Sequence, residues 1–134
     1  MINLKDCFNK GLLKRAEKSL KQAEFFLEEA KDLVEDKKQM SLLALYNAFF
    51  HTVRALLYKD GIKERSHFCM ARYLEFEYID KNKIKTKFLS SFETVISLRH
   101  SVQYSTDKID IAEDLTELIN LCEEFIKEIY NLIK

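Results

Sequence analysis

A chain of 134 residues, 47% hydrophobic and 33% charged, suits a single globular domain, residues 1–134, with one sizeable core. Its twenty-two basic residues equal its twenty-two acidic ones, so overall charge marks neither a nucleic-acid-coating protein nor an acidic tail. With no proline and only Gly11 and Gly61, the chain lacks the turn residues that sheets require and reads as all-α.

The first predicted helix has a strict period. Leu13, Ala16, Leu20, Ala23, Leu27, Ala30 and Val34 recur in steps of three and four, a heptad seam whose alternating Ala lets a neighbouring helix come close. Lys14, Lys18, Lys21, Glu24, Glu28 and Lys31 cover the water side, spaced for opposite-charge pairs one turn apart. The polar link at residues 35–39 is short, which makes the next helix antiparallel.

That helix, residues 40–58, is apolar on nearly every side and belongs in the middle of the molecule. Asn47, His51, Arg54 and Tyr58 fall at i, i+4, i+7 and i+11, one polar stripe along it and the first place to look for a site. The plainer account of the stripe is structural, with Asn47 and His51 hydrogen-bonded across the bundle and Arg54 paired to a carboxylate. Asn47 also breaks the apolar run, which is taken as too short to span a membrane. Gly61 supplies the left-handed residue that closes the helix.

Ser66 is the predicted cap of a short helix reaching about Tyr78, rich in aromatic residues and irregular in period. After Asp80-Lys81-Asn82, a fourth helix sets Phe88, Phe92, Val95 and Val102 on one stripe, with Arg99 inside it. A guanidinium on an apolar face needs a partner. Lys81, Lys83, Lys85 and Lys87 alternate and so share no helical face; they read as solvated surface first and an approach path for RNA second. Residues 104–109 break the pattern, and Asp110-Ile111-Ala112-Glu113 resembles a capping box. The last helix buries Leu115, Leu118, Cys122, Phe125, Ile129 and Leu132. The predicted architecture is an all-α, antiparallel up-and-down four-helix bundle with an additional short helix.

Charge is not evenly spread. Residues 51–108 carry a net +4 and the remainder −4, an offset small enough to be ordinary helix surface. The odd, scattered Cys7, Cys69 and Cys122 suit reduced thiols, and the first residues lack the build of a signal peptide, so a cytoplasmic protein with no membrane association is expected. No His or Cys pair has a third residue at ligand spacing, so neither a metal nor a cofactor is expected.

The run from Ala44 to Leu57, with Tyr46, Asn47, Phe50, His51, Arg54 and Ala55, followed by Gly61-Ile62 and Ser66-His67, resembles the HEPN (higher eukaryotes and prokaryotes nucleotide-binding) superfamily. The resemblance covers about residues 12–130 and is strongest to small, free-standing prokaryotic members, with Asn47 standing where their second tyrosine is found. It implies a homodimeric helical bundle that meets RNA or nucleotide, often encoded beside a minimal nucleotidyltransferase as a toxin–antitoxin pair. Active members are metal-independent ribonucleases with an Arg-x(4–6)-His motif late in the penultimate long helix. There arginine offers donors to a phosphate gathering charge, and histidine, titrating near neutrality, moves a proton.

The matching arginine is Arg99, but Tyr104 stands at the first position permitted to the histidine. A phenol with a pKa near 10 is a poor base at neutral pH. In some such pairs the partner enzyme adenylates a tyrosine near the motif, which gives Tyr104 a further candidate role beside the plainer one of an aromatic closing the end of the bundle. Arg99, Tyr104 and His51 are therefore the catalytic candidates, and Arg54, Asn47, Arg99 and His100 the nucleotide- or RNA-binding candidates. The competing expectation is a non-catalytic homodimeric interaction module, favoured by the heptad seam of the first helix and the amphipathic last helix.

Overall fold

The alternating Leu and Ala of the first segment fold as α1, Leu4–Leu33, in a computed structural model that describes residues 4–63, 66–104 and 115–133. Ala16, Leu20, Ala23, Leu27 and Ala30 are all buried, and they seat α1 against α2, Lys38–Lys59. Two hydroxyls fix the antiparallel register: Ser41 Oγ donates to the Ala30 carbonyl and Ser19 Oγ to the His51 carbonyl, each at 2.7 Å. Their small side chains let the two backbones meet closely, as the alanines of the seam do.

α2 runs through the middle, touching α1, α3 (His67–Leu74), α4 (Thr86–Tyr104) and α5 (Leu115–Ile133). By length and composition α2 does reach the measure of a membrane span, contrary to the expectation from Asn47. Twelve of its 22 residues are buried inside the bundle, so its apolarity is matched by protein neighbours. Phe49 lies at the centre, its ring 6.1 Å from those of both Phe92 on α4 and Phe125 on α5, and Phe88 stacks on Phe125 at 4.9 Å. The order of the long helices is up, down, up, down, with α3 beside α2 and α4, its start at Tyr46 and the segment after it at Asp60.

Backbone geometry at two helix ends follows from two residues with positive φ. Gly61, at φ 79°, closes α2: its N–H donates to the Tyr58 carbonyl at 3.0 Å, and Ile62 donates to Leu57 at 2.8 Å. This double bond pattern satisfies carbonyls that the helix end would otherwise leave open. Asn82, at φ 56°, repeats it with Asn82 N to Ile79 at 3.0 Å and Lys83 N to Tyr78 at 2.8 Å. Asn tolerates the left-handed region better than other side-chain-bearing residues.

The irregular stretch before Asn82 has a specific form. Ser66 caps α3 as expected, accepting from the Cys69 N–H at 3.5 Å, but residues Glu75–Ile79 widen into a π-helical segment. That extra residue per turn is why no helical period fits the sequence there. Asp60 at the end of α2 accepts from Tyr73 Oη at 2.5 Å and Tyr78 Oη at 2.6 Å, tying α3 and the π segment back to α2. Burial first, then the bonded carboxylate, pushes both phenols up.

Two surface expectations change. Of the pairs foreseen on α1, Lys31–Glu28 forms at 3.2 Å, and Lys31 also reaches Glu123 of α5 at 3.3 Å, whereas Lys18 and Lys21 make no ion pair among the described residues. In the alternating lysine run, Lys81 bonds Glu77 at 2.8 Å and Lys87 bonds Glu124 at 2.7 Å. The capping box at residues 110–113 lies outside the described residues, as does the side chain of Tyr104.

Candidate functional site

Arg99 finds its partner on α2, and the partner is aromatic. Its guanidinium carbon lies 4.3 Å from the centroid of the Tyr46 ring, and no carboxylate among the described residues is within ion-pair distance. Cation–π attraction and the apolar stem suit a half-buried arginine without neutralising its charge. Tyr46 is buried, and burial raises its phenol pKa, with the Arg99 charge pulling weakly the other way. The edge of His67 meets the same ring, centroids 6.5 Å apart.

Arg99 stands between two shallow cavities. One, of 430 Å³, is lined by Leu43, Tyr46, Asn47, Arg99, Val102 and Gln103. The other, of 440 Å³, is lined by His67, Ile96, Ser97, Arg99, His100 and Ser101. Two imidazoles, two hydroxyls and a guanidinium thus share one concavity, the groups that hold a phosphate and shift its protons. α3 brings His67 here because Ser66 starts that helix beside the first half of α2.

The polar stripe of α2 does not serve a single site. Asn47 lies beside Arg99, and its Nδ2 donates to the Leu43 carbonyl of its own helix at 3.1 Å. His51, Arg54 and Tyr58 instead line a groove of 580 Å³ between α1 and α2, with Arg15, Lys18, Ser19, Lys21, Gln22 and Lys63. The four residues do share an azimuth on α2, but Asn47 shares its cavity with Arg99 of α4, whereas His51, Arg54 and Tyr58 share theirs with residues of α1. Within one chain, then, His51 and Arg54 do not join Arg99 in one cleft. Nor, among the described residues, do they form the cross-bundle network of the plainer account: His51 stacks on Phe26 with centroids 5.5 Å apart, and Arg54 lies 4.7 Å over the Tyr58 ring. Burial, and after it the positive charge of Arg54, lowers the His51 pKa.

Sequence reasoning left several of these residues without a role. Tyr46 and His67 stood in the quoted runs, yet only the packing of α3 and α4 against α2 shows them meeting Arg99. Lys18 and Lys21 read as charge on the water side and Arg15 and Lys63 carried no reading, and only the alignment of α1 with α2 gathers the four. Among the described residues no group of three or more His, Cys, Asp and Glu is arranged to hold a metal.

Fold and site define a class: an all-α bundle with an aromatic-backed guanidinium near the end of its fourth helix and imidazoles beside it. The particular family follows from comparison, since the profile of the HEPN domain family matches residues 16–132, and the chain belongs to that family. The family is nucleotide- and RNA-related, with ribonuclease-like chemistry among its roles. No individually curated protein matches the chain significantly.

Proposed function

We propose that this protein binds RNA or nucleotide through Arg99 as a homodimer, working with a nucleotidyltransferase partner in a toxin–antitoxin-like module. The observation that carries the reading is the state of Arg99: a guanidinium over the Tyr46 ring, uncompensated by any described carboxylate, and bordering two cavities. A cation held in place by a ring rather than by an acid keeps its full charge for a phosphate, and loses little side-chain freedom on binding one.

The chemistry open to the site is metal-independent phosphodiester cleavage. Arg99 stabilises the charge that builds on the phosphoryl oxygens, and an imidazole takes the proton of the attacking 2′-hydroxyl while a second group protonates the leaving oxygen. His67 and His100 border the Arg99 cavity and are better placed for this than His51, which lies in the other groove. Tyr104, at the end of α4, is the candidate for modification by the partner enzyme, readable as a mass gain of one adenylate.

The test is incubation of the pure protein with a mixed RNA pool and chelator, comparing wild type with Arg99→Ala, His67→Ala and Tyr104→Phe. Cleavage that survives chelation and disappears in Arg99→Ala supports a ribonuclease. Salt-sensitive binding without cleavage, lost in Arg99→Ala, supports a binding or partner-modified component. Equal RNA binding by Arg99→Ala and wild type overturns the reading.

The alternative, a non-catalytic interaction module, loses its two original supports, because the α1 seam and the apolar face of α5 are buried within the protomer. Exposed Phe68 and Phe76 take their place: they flank Arg72 on α3 and the π segment, 66% and 57% exposed. A self-association that strengthens with salt and weakens in Phe68→Ser favours this reading over the first.

A further inference from the structure

The chain has no net charge, yet among the described residues five cations and no acid line one groove. Arg15, Lys18 and Lys21 come from α1, Arg54 from α2, and Lys63 from the turn that follows it. Elsewhere on the surface Lys31, Lys59, Arg72, Lys81 and Lys87 each lie within 4 Å of a carboxylate. None of the five groove cations has such a partner among the described residues. Like charges kept together without counter-charges repel one another, and a bound polyanion relieves that repulsion.

From the geometry we infer that the α1–α2 groove is a binding site for a compact run of phosphates, separate from the Arg99 cavities. Its volume, 580 Å³, falls in the range of small-molecule sites. The α1 residues Arg15, Lys18 and Gln22 follow at steps of three and four, so donors recur along about 10 Å of helix. His51, Arg54 and Tyr58 repeat those steps on the antiparallel wall opposite. Two facing rows of donors at turn spacing suit two or three adjacent phosphates better than a single anion. Arg54 is already held on the Tyr58 ring, and His51 is stacked parallel to Phe26, so both are ordered before a ligand arrives. The phosphates belong either to a free nucleoside triphosphate or to consecutive nucleotides of a strand, and the two sources present the same chemistry to this groove.

The site is tested on the full chain by calorimetric titration with inorganic tripolyphosphate, ATP and a trinucleotide, each without metal. Wild type binds tripolyphosphate saturably, one per protomer; Lys18→Gln combined with Arg54→Gln weakens it at least tenfold, and rising salt weakens it steeply. Equal affinity for tripolyphosphate and ATP marks a site that reads phosphate alone. Tighter ATP points to a free nucleotide and a tighter trinucleotide to a strand, and both keep the phosphate assignment. His51 gives an independent readout by NMR. The charged and titratable groups around it are Arg15, Lys18 and Lys21 from α1, Arg54 and Tyr58 from α2, and Lys63, so a bound polyanion raises its pKa. Arg99→Ala leaves tripolyphosphate affinity within twofold, which separates this site from the RNA reading above. No saturable binding, or binding indifferent to the Lys18 and Arg54 substitutions in a protein with an unchanged melting curve, overturns the inference.

Discussion

Two regions of the bundle handle positive charge in opposite ways, though α2 builds a wall of each. Beside α4, one guanidinium rests on a buried phenol, with imidazoles and hydroxyls around it. Beside α1, five cations face one another across a groove, and their arrangement is a matter of helix register rather than of any single contact. The first region is a positioned group, in which one side chain carries the charge. The second is a field, to which each cation contributes a share. Position suits chemistry at a bond; a field suits capture and retention of a polyanion.

The comparison predicts how differently the regions fail. The largest effect belongs to the core they share: Phe49→Ala removes a fully buried ring set between Phe92 and Phe125 and costs about 3–5 kcal/mol in urea denaturation. Both regions should be lost together, and preserved binding at either one would show that it does not depend on the packed bundle. Next is Arg99→Ala, expected to weaken RNA binding about tenfold, near 1.4 kcal/mol, while changing stability by less than about 1 kcal/mol. A filter-binding series set beside a thermal melt separates the two numbers, and a large stability loss with unchanged RNA affinity would make Arg99 a scaffold residue.

Gly61→Ala comes third. The added Cβ meets only Leu12 Cδ1 at 3.7 Å, an ordinary contact, so its cost is that of a left-handed non-glycine residue, about 1 kcal/mol. Because Gly61 sets the course of the chain into Lys63, this substitution should perturb tripolyphosphate binding more than RNA binding. The reverse order would break the proposed division between groove and cavity.

The smallest effect is in pH. The folded His51 pKa lies below its ordinary 6.5 through burial and the Arg54 charge, so protons bind the unfolded chain first. His51 therefore has no effect on stability above about pH 6.5 and lowers it progressively as pH falls from there through the folded pKa. Wild type minus His51→Gln, followed by denaturation across pH 5–8, should show that slope. Arg54→Gln should raise the His51 pKa and shrink the slope, whereas an unaltered slope would mean that burial alone sets it.

Much of the fold was legible because it rests on periods. The Leu/Ala seam, the apolar second helix, Gly61 as a helix stop, Ser66 as a cap and the buried face of α5 are local or repeating signals, and each is seen in the structure, except that α1 stops before Val34 and Leu132 is only half-buried. The π segment was legible only as an irregularity, since its widened turn leaves no regular period to find. The site was half legible. Arg99 stood out as a charge on an apolar stripe, but its partner is a ring on another helix, and the link runs through space rather than along the chain. The groove was harder still: the mild basic excess of residues 51–108 pointed to the middle of the sequence, while three of the five groove cations lie in α1.

What the sequence determined by itself was the all-α bundle, its helix order and central helix, and the family, because hydrophobic period and short links suffice to set them. What only the tertiary structure decided was which polar residues meet. A helix's own period gives the azimuth of Asn47, His51, Arg54 and Tyr58, but not which neighbour passes at each level. The register fixed by Ser19 and Ser41 brings α1 beside His51 and Arg54, and the packing of α4 brings Arg99 to Tyr46, so one stripe on one helix becomes parts of two different regions.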